Sequence, residues 1–124
     1  MIAAPPLPPP TKVVEFVGSA EDDLAAFPDD VKRVMGFAIY QAQLGQKHPR
    51  AKPLKGDNAF KGANVLEVVD DYDGDTYRAV YTVKFVGVIY VLHAFQKKSR
   101  KTARQDLEMA RRRFRALIEE RKLR

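Results

Sequence analysis

Arg78, in the stretch Tyr77-Arg78-Ala79-Val80-Tyr81, and the cluster Lys97, Lys98, Arg100 and Lys101 just after His93 are the residues here best suited to chemistry on a phosphodiester. A guanidinium presents a planar fork of donors that can bind two phosphate oxygens at once. When RNA is cleaved by its own 2′-hydroxyl, negative charge builds on the oxygens around phosphorus. Cations fixed there stabilise the transition state more than the substrate. The reaction further needs a base for the 2′-hydroxyl and an acid for the departing 5′-oxygen. It needs no protein nucleophile, so the absence of cysteine is no obstacle.

A second set of cations lies in residues 46–64: Lys47, Arg50, Lys52, Lys55 and Lys61, with His48 among them. The net charge of +6 is unevenly spread. Residues 96–124 hold twelve Lys/Arg against four acids, and residues 46–64 hold five against one. Two basic blocks that converge on one polyanion would account for this pattern. A solvated connector and a charged helix face are the plain alternatives.

The elements that position these residues read in order as strand, two helices, three strands and a helix. Residues 1–11 contain five prolines and read as a disordered tail before a domain over 12–124. Residues 12–17 form a β-branched strand ended by Gly18-Ser19, and Ser19 with Asp22 resembles a capping box for a short helix. Pro28 suits a first helical position, and Asp29 and Asp30 favour the positive end of the helix dipole. Val31, Val34, Met35, Ala38 and Ala42 give one apolar face, and Gly45 a C-terminal cap. Residues 46–64 read as a loop. Residues 65–71, 76–85 and 87–95 form a meander, with Asp73-Gly74 as a hairpin turn. Thr102 and Gln105 make a capping box for the last helix. Its core face is Ala103, Leu107, Ala110, Phe114 and Leu117, with Arg111, Arg112, Arg113 and Arg115 around the other side. The order predicts an α+β fold, with a small antiparallel sheet of about four strands and helices on one face.

Alternation on the strand that carries Arg78 places it with Val80, Thr82 and Lys84. Tyr77, Ala79, Tyr81, Val83 and Phe85 then meet the helices, which leaves Arg78 on an open face. His93 shares a face with Ile89, Val91 and Phe95 and is expected to be structural or buried. His48 is expected to be exposed and inert. Lysine has a reference pKa of about 10.4 and becomes a usable base only where burial and neighbouring cations lower it. The turn DDYDGD lacks the glycine and glutamate spacing of a calcium loop. No metal site and no cofactor are expected. No apolar run is long enough to span a membrane. The proline-rich start is unlike a signal peptide, and the lack of cysteine fits a reducing cytoplasm.

Over residues 12–120 the chain resembles the RelE/HigB superfamily of bacterial toxins, in its phage-derived branch. The resemblance rests on the loop His48-Pro49-Arg50-Ala51-Lys52-Pro53-Leu54-Lys55-Gly56, the strand Tyr77–Tyr81 and the segment Val91–Ser99. It implies a RelE-like domain with two N-terminal helices and a C-terminal helix. It implies a toxin of a type II toxin–antitoxin system that is a ribosome-dependent mRNA endonuclease. The implied partners are mRNA on the ribosome and a cognate antitoxin, often of the helix-turn-helix type. Arg78 matches the strand arginine that holds the scissile phosphate, and Lys52 and Lys55 match basic or acid–base positions. Lys97 and Lys98 stand where relatives place histidine, tyrosine or arginine, a departure from the pattern. The expected roles are Lys52 or Lys55 as base, Arg78 and Lys98 against the phosphorane, and Lys97 as acid or phosphate clamp. Arg50, Lys61, Arg100 and Lys101 are expected to bind RNA. The alternative is a RelE-fold protein without catalysis, either an inhibitor such as the gyrase-directed branch or an inactive phage relative.

Overall fold

Strand β5 (Val88–Lys97) is the run VIYVLHAFQK, and nearly every one of its side chains is buried. A strand apolar on both faces needs cover above and below, and the rest of the chain supplies it. The computed structural model describes residues 11–54, 60, 64–97 and 104–123. The Pro-rich stretch 1–10 and the Thr102–Ala103 start of the last helix lie outside these residues, as do Lys55, Lys61, Lys98, Arg100 and Lys101.

Among the described residues the fold is α+β, with a five-stranded, mostly antiparallel sheet and three helices. β5 pairs in parallel with β1 (Val13–Phe16) on one side and antiparallel with β4 (Asp75–Thr82) on the other. β4 pairs antiparallel with β3 (Val65–Tyr72), and β3 pairs with the edge strand β2 (Ala51–Pro53). β2 falls inside the segment read as a loop, so the sheet has one strand more than expected. Three residues are too few to show alternation, and Pro53 is tolerated because β2 is an edge strand. The β3–β4 turn is the one expected: Asp73 and Gly74 both have positive φ (51° and 85°), as a tight primed turn requires.

Helices cover both faces of the sheet, which corrects the expectation of one. Helices α1 (Ala20–Ala25) and α2 (Asp29–Gln43) bury Ala20, Val31, Met35, Ala38, Ile39 and Ala42 in a core with Val68, Tyr77, Ala79, Tyr81, Ile89 and Val91. Helix α3 (Arg104–Lys122) buries Ala110, Phe114 and Leu117 in a second core with Val65, Val80, Val88, Tyr90, Leu92 and Phe95. The face of β4 expected to be open is therefore closed at Val80. Phe85 packs with this second core and not with Tyr77, Ala79 and Tyr81. Among the buried groups, the Tyr81 hydroxyl has no hydrogen-bond partner among the described residues. Burial raises its pKa to about 12.

The β4–β5 register shifts between Val80 and Tyr81: Val80 opposes His93, and Tyr81 opposes Val91. Leu92 is thus an extra residue on β5, a β-bulge. Beyond it the alternation is inverted. Ile89 and Val91 face α1 and α2, whereas His93 and Phe95 face α3. The expected grouping of His93 with Ile89 and Val91 is corrected for this reason, and only its neighbour Phe95 is retained.

The caps differ in detail from the sequence reading. Pro28 is the N-cap of α2 (φ −55°, ψ 148°), one position before that expected, and Asp29 and Asp30 pair with Lys32 and Arg33. Gly45 at φ +79° ends α2 as expected, with Gln46 N–H donating to Gln41 O at 2.8 Å and Gly45 N–H to Ala42 O at 3.0 Å. Ser19 makes no side-chain cap on α1. Its hydroxyl donates to Asp23 Oδ2 (2.7 Å) and accepts from Arg113 Nη2 (3.0 Å), so it serves the junction with α3 instead.

Candidate active site

Strand pairing sets the site. Lys52 on β2 stands opposite Glu67 on β3, and Glu67 stands opposite Val80 on β4. Arg78, two residues from Val80, opposes Val69 on one side and Phe95 on the other. Lys97 opposes Thr76. Alternation puts Lys52, Glu67, Arg78 and Lys97 on one face of the sheet. It is the face of α3, but α3 packs chiefly over β5. Toward β2 the same face holds a pocket of about 590 Å³ lined by Pro49, Arg50, Lys52, Glu67, Val69, Asp71 and Arg78.

The pocket is not purely cationic. Arg78 Nη1 donates to Glu67 Oε1 in an ion pair whose side chains are only 15% and 11% exposed. Arg50 Nη1 donates to Asp70 Oδ1, which is itself buried. A carboxylate taken out of water needs such a partner, since an uncompensated buried charge costs several kcal/mol by typical magnitudes, roughly 3–5. Arg78 thus lies at the border of the α3 core, mostly covered, and lines the pocket with Lys52.

Lys97 is buried, and its Nζ has no hydrogen-bond partner among the described residues. Burial pushes its pKa down, and the Arg78 guanidinium pushes it further, while Glu67 pulls it back up. Lys97 does not line the pocket. It is a positive charge held behind Arg78 in a poorly hydrated place, where electrostatic effects are strong.

The histidines have defined structural roles. His48, expected to be exposed and inert, is half-buried, and this corrects the expectation. Its Nδ1 accepts a hydrogen bond from the Arg50 backbone N–H at 3.0 Å, and its ring meets Phe37 edge-on at 6.0 Å. Burial, then the Arg50 charge, lower its pKa, with Asp70 opposing. A neutral ring with Nδ1 unprotonated is what this turn requires. His93 uses both nitrogens: Nε2 lies 2.8 Å from Asp106 Oδ1, and Nδ1 lies 3.5 Å from Arg113 Nη1. Its ring stacks on Phe95 at 4.9 Å.

Of the residues proposed from sequence, the fold brings Arg50, Lys52 and Arg78 to one pocket and sets Lys97 behind it. The placements of Lys55, Lys61, Lys98, Arg100 and Lys101 lie outside the described residues. Arg113, expected on the outer face of α3, turns inward to donate to Leu92 O at 2.9 Å. Arg112 and Arg115 are exposed, and Arg121 lies 4.4 Å over the Phe85 ring. Sequence reasoning missed Glu67 and Asp70. Glu67 had a signal: a carboxylate amid valines on an interior strand must find a cation, and Arg78 is on the next strand. Among the described residues no group of three His, Asp or Glu could hold a metal ion. A different pocket, of about 620 Å³, lies between Asp23, Phe27, Pro28, Tyr77 and Gln96 and has no Lys or Arg among the described residues of its lining. No described helix is long and apolar enough to cross a membrane.

Comparison with protein families gives a match over residues 22–115 to the family described as phage derived protein Gp49-like (DUF891). Comparison with curated proteins gives no match.

Proposed function

The chain belongs to the Gp49-like family of phage-derived proteins, a RelE/HigB-type toxin family of toxin–antitoxin systems, and from that premise we propose that it is a type II toxin that cleaves mRNA on the ribosome in the cytoplasm. The observation that carries this reading is the convergence of Arg50, Lys52 and Arg78 on one pocket, with Lys97 behind Arg78. In the proposed reaction the 2′-oxygen attacks the adjacent phosphorus and the P–O5′ bond breaks. The products are a 2′,3′-cyclic phosphate and a 5′-hydroxyl. Arg78 and Lys52 bind the non-bridging oxygens, where charge accumulates, and Lys97 reinforces the field from behind. Lys55, Lys61, Lys98, Arg100 and Lys101, which lie outside the described residues, add positive charge to the chain for RNA binding, and a cognate antitoxin, often of the helix-turn-helix type in this branch, neutralises the toxin.

Primer extension on cellular mRNA after induction of the chain tests the proposal. Discrete cuts within translated codons, absent from Arg78→Lys, are expected. A non-catalytic inhibitor is favoured by one observation, that Arg50 and Arg78 already hold carboxylates. Growth arrest with intact mRNA and damaged DNA would support that second reading and refute the first.

A further inference from the structure

We propose that Glu67 is the general base of this site, and that it holds Arg78 until a phosphodiester takes its place. The inference rests on the endonuclease reading above and adds to it a base and an order of events. Glu67 lines the pocket, lies opposite Lys52 and is paired with Arg78. A phosphate oxygen and a carboxylate oxygen are alternative partners for the same guanidinium. When the phosphate binds Arg78, the carboxylate is released beside the attacking nucleotide. Having lost its guanidinium partner to the phosphate, the carboxylate is a stronger proton acceptor.

The step balances without any further reagent. Glu67 takes the proton of the 2′-hydroxyl as the O2′–P bond forms. The P–O5′ bond breaks, and the Lys52 ammonium gives a proton to the leaving 5′-oxygen. Glu67 and Lys52 then exchange one proton, directly or through water, and the site is restored with Arg78 again paired to Glu67. Without RNA the Arg78 guanidinium and the Glu67 carboxylate mask one another. A phosphodiester positioned by other contacts can displace the carboxylate.

The test compares binding with cleavage in the full chain. Binding is read with a 2′-O-methyl RNA oligonucleotide that cannot be cut, and cleavage with unmodified mRNA on programmed ribosomes under single-turnover conditions. Glu67→Gln keeps the shape and a hydrogen bond to Arg78 but not the charge. It is expected to bind the inert RNA as tightly as the parent or more tightly, and to cleave about 10²–10³-fold more slowly, within the range typical of lost general-base catalysis. Glu67→Asp is expected to recover part of the rate. Cleavage by Glu67→Gln at or above the parent rate would show that Glu67 only masks Arg78, and the base assignment would fall. Weaker binding of the inert RNA by a folded Glu67→Gln would overturn the exchange. Should Glu67→Gln not fold, Glu67→Asp decides: full activity with no gain or loss in binding leaves the carboxylate's placement irrelevant and overturns the proposal. If the parent chain cuts no mRNA, the endonuclease reading fails by itself, and the binding comparison still tests the exchange at Arg78.

Discussion

The guanidinium of Arg113 lies against the backbone of Gly18, with its Nε 2.8 Å from the point where a β-carbon would stand. Gly18 also has φ +57°, a conformation that other L-residues adopt at a cost. Arg113 in turn donates to Leu92 O and Ser19 Oγ, so this glycine lets one side chain tie α1 and β5 to α3. Gly18→Ala should destabilise the fold by about 1–3 kcal/mol. Urea unfolding of both proteins measures it. A difference below about 0.5 kcal/mol, the usual scatter of neutral surface changes, would mean that Arg113 swings aside freely.

Arg78→Lys keeps a positive charge near Glu67 but removes the fork of donors. Cleavage of mRNA should fall by about 10²–10³-fold, the usual cost of losing one transition-state donor. The fold should survive, because Glu67 still has a cation. The comparison must use lysine, since Arg78→Ala would strand a carboxylate that is 11% exposed. Single-turnover cleavage together with thermal unfolding separates the two effects.

Much of this was open to reading in the sequence, for physical reasons that differ by element. The Asp73-Gly74 turn and the Gly45 cap follow from local rules that act within a few residues, and they stand as read. The face of α2 stands except that Ile39 and not Val34 is buried, and β4 ends at Thr82 and not at residue 85. The larger misreadings share a cause: they depend on a neighbour distant in sequence. β2 is too short to have a period and exists only because β3 is beside it. The run from Val88 to Leu92 is apolar at consecutive positions, which is itself a sign of cover on both faces, yet the alternation of β4 suggested only one. The Arg78–Glu67 pair required the β3–β4 register, and that register follows from the Asp73-Gly74 turn. The site's cations were therefore legible, while its carboxylate was legible only in retrospect.

Tyr81 is fully buried with an unpartnered hydroxyl among the described residues. Tyr81→Phe should be neutral or stabilising, by up to about 1–3 kcal/mol, the cost of leaving such a group unsatisfied. The pH dependence has a definite sign. The folded pKa is raised from 10.0 to about 12, so the folded state keeps a proton that the unfolded state loses. The stability associated with the neutral phenol is complete below pH 10 and is lost as pH rises toward 12. Tyr81→Phe should remove that part of the alkaline slope, as read from unfolding midpoints at a series of pH values.

Lys97 has the opposite sign. Its folded pKa lies below 10.5, so its buried charge opposes folding at neutral pH, and this is relieved as pH rises through the folded value toward 10.5. Lys97→Met should stabilise the chain at neutral pH by about 1–3 kcal/mol, and the advantage should shrink in alkali. The same variant should slow mRNA cleavage, because the field behind Arg78 is gone. A gain in stability with undiminished cleavage would make Lys97 a bystander.

His48 should respond at the acid side. Its pKa is lowered from 6.5, and its Nδ1 accepts from the Arg50 N–H. As pH falls from 6.5 through the folded value, protonation turns that acceptor into a donor, and the turn that places Arg50 is lost. NMR of the Arg50 amide should show a shift that follows the His48 titration and is absent in His48→Gln.

The additional residue at Leu92 has a consequence for comparing relatives. Run without the bulge, in unbroken alternation, this same sequence would present Gln96, not Lys97, to the face that holds Arg78, and would turn His93 away from Asp106. An alignment that slides by one place after Val91 would therefore assign the wrong side chain to the site while matching every hydrophobic position before it. Among relatives, a gap placed correctly at this bulge is as informative about the charge behind the arginine as the identity of any single residue.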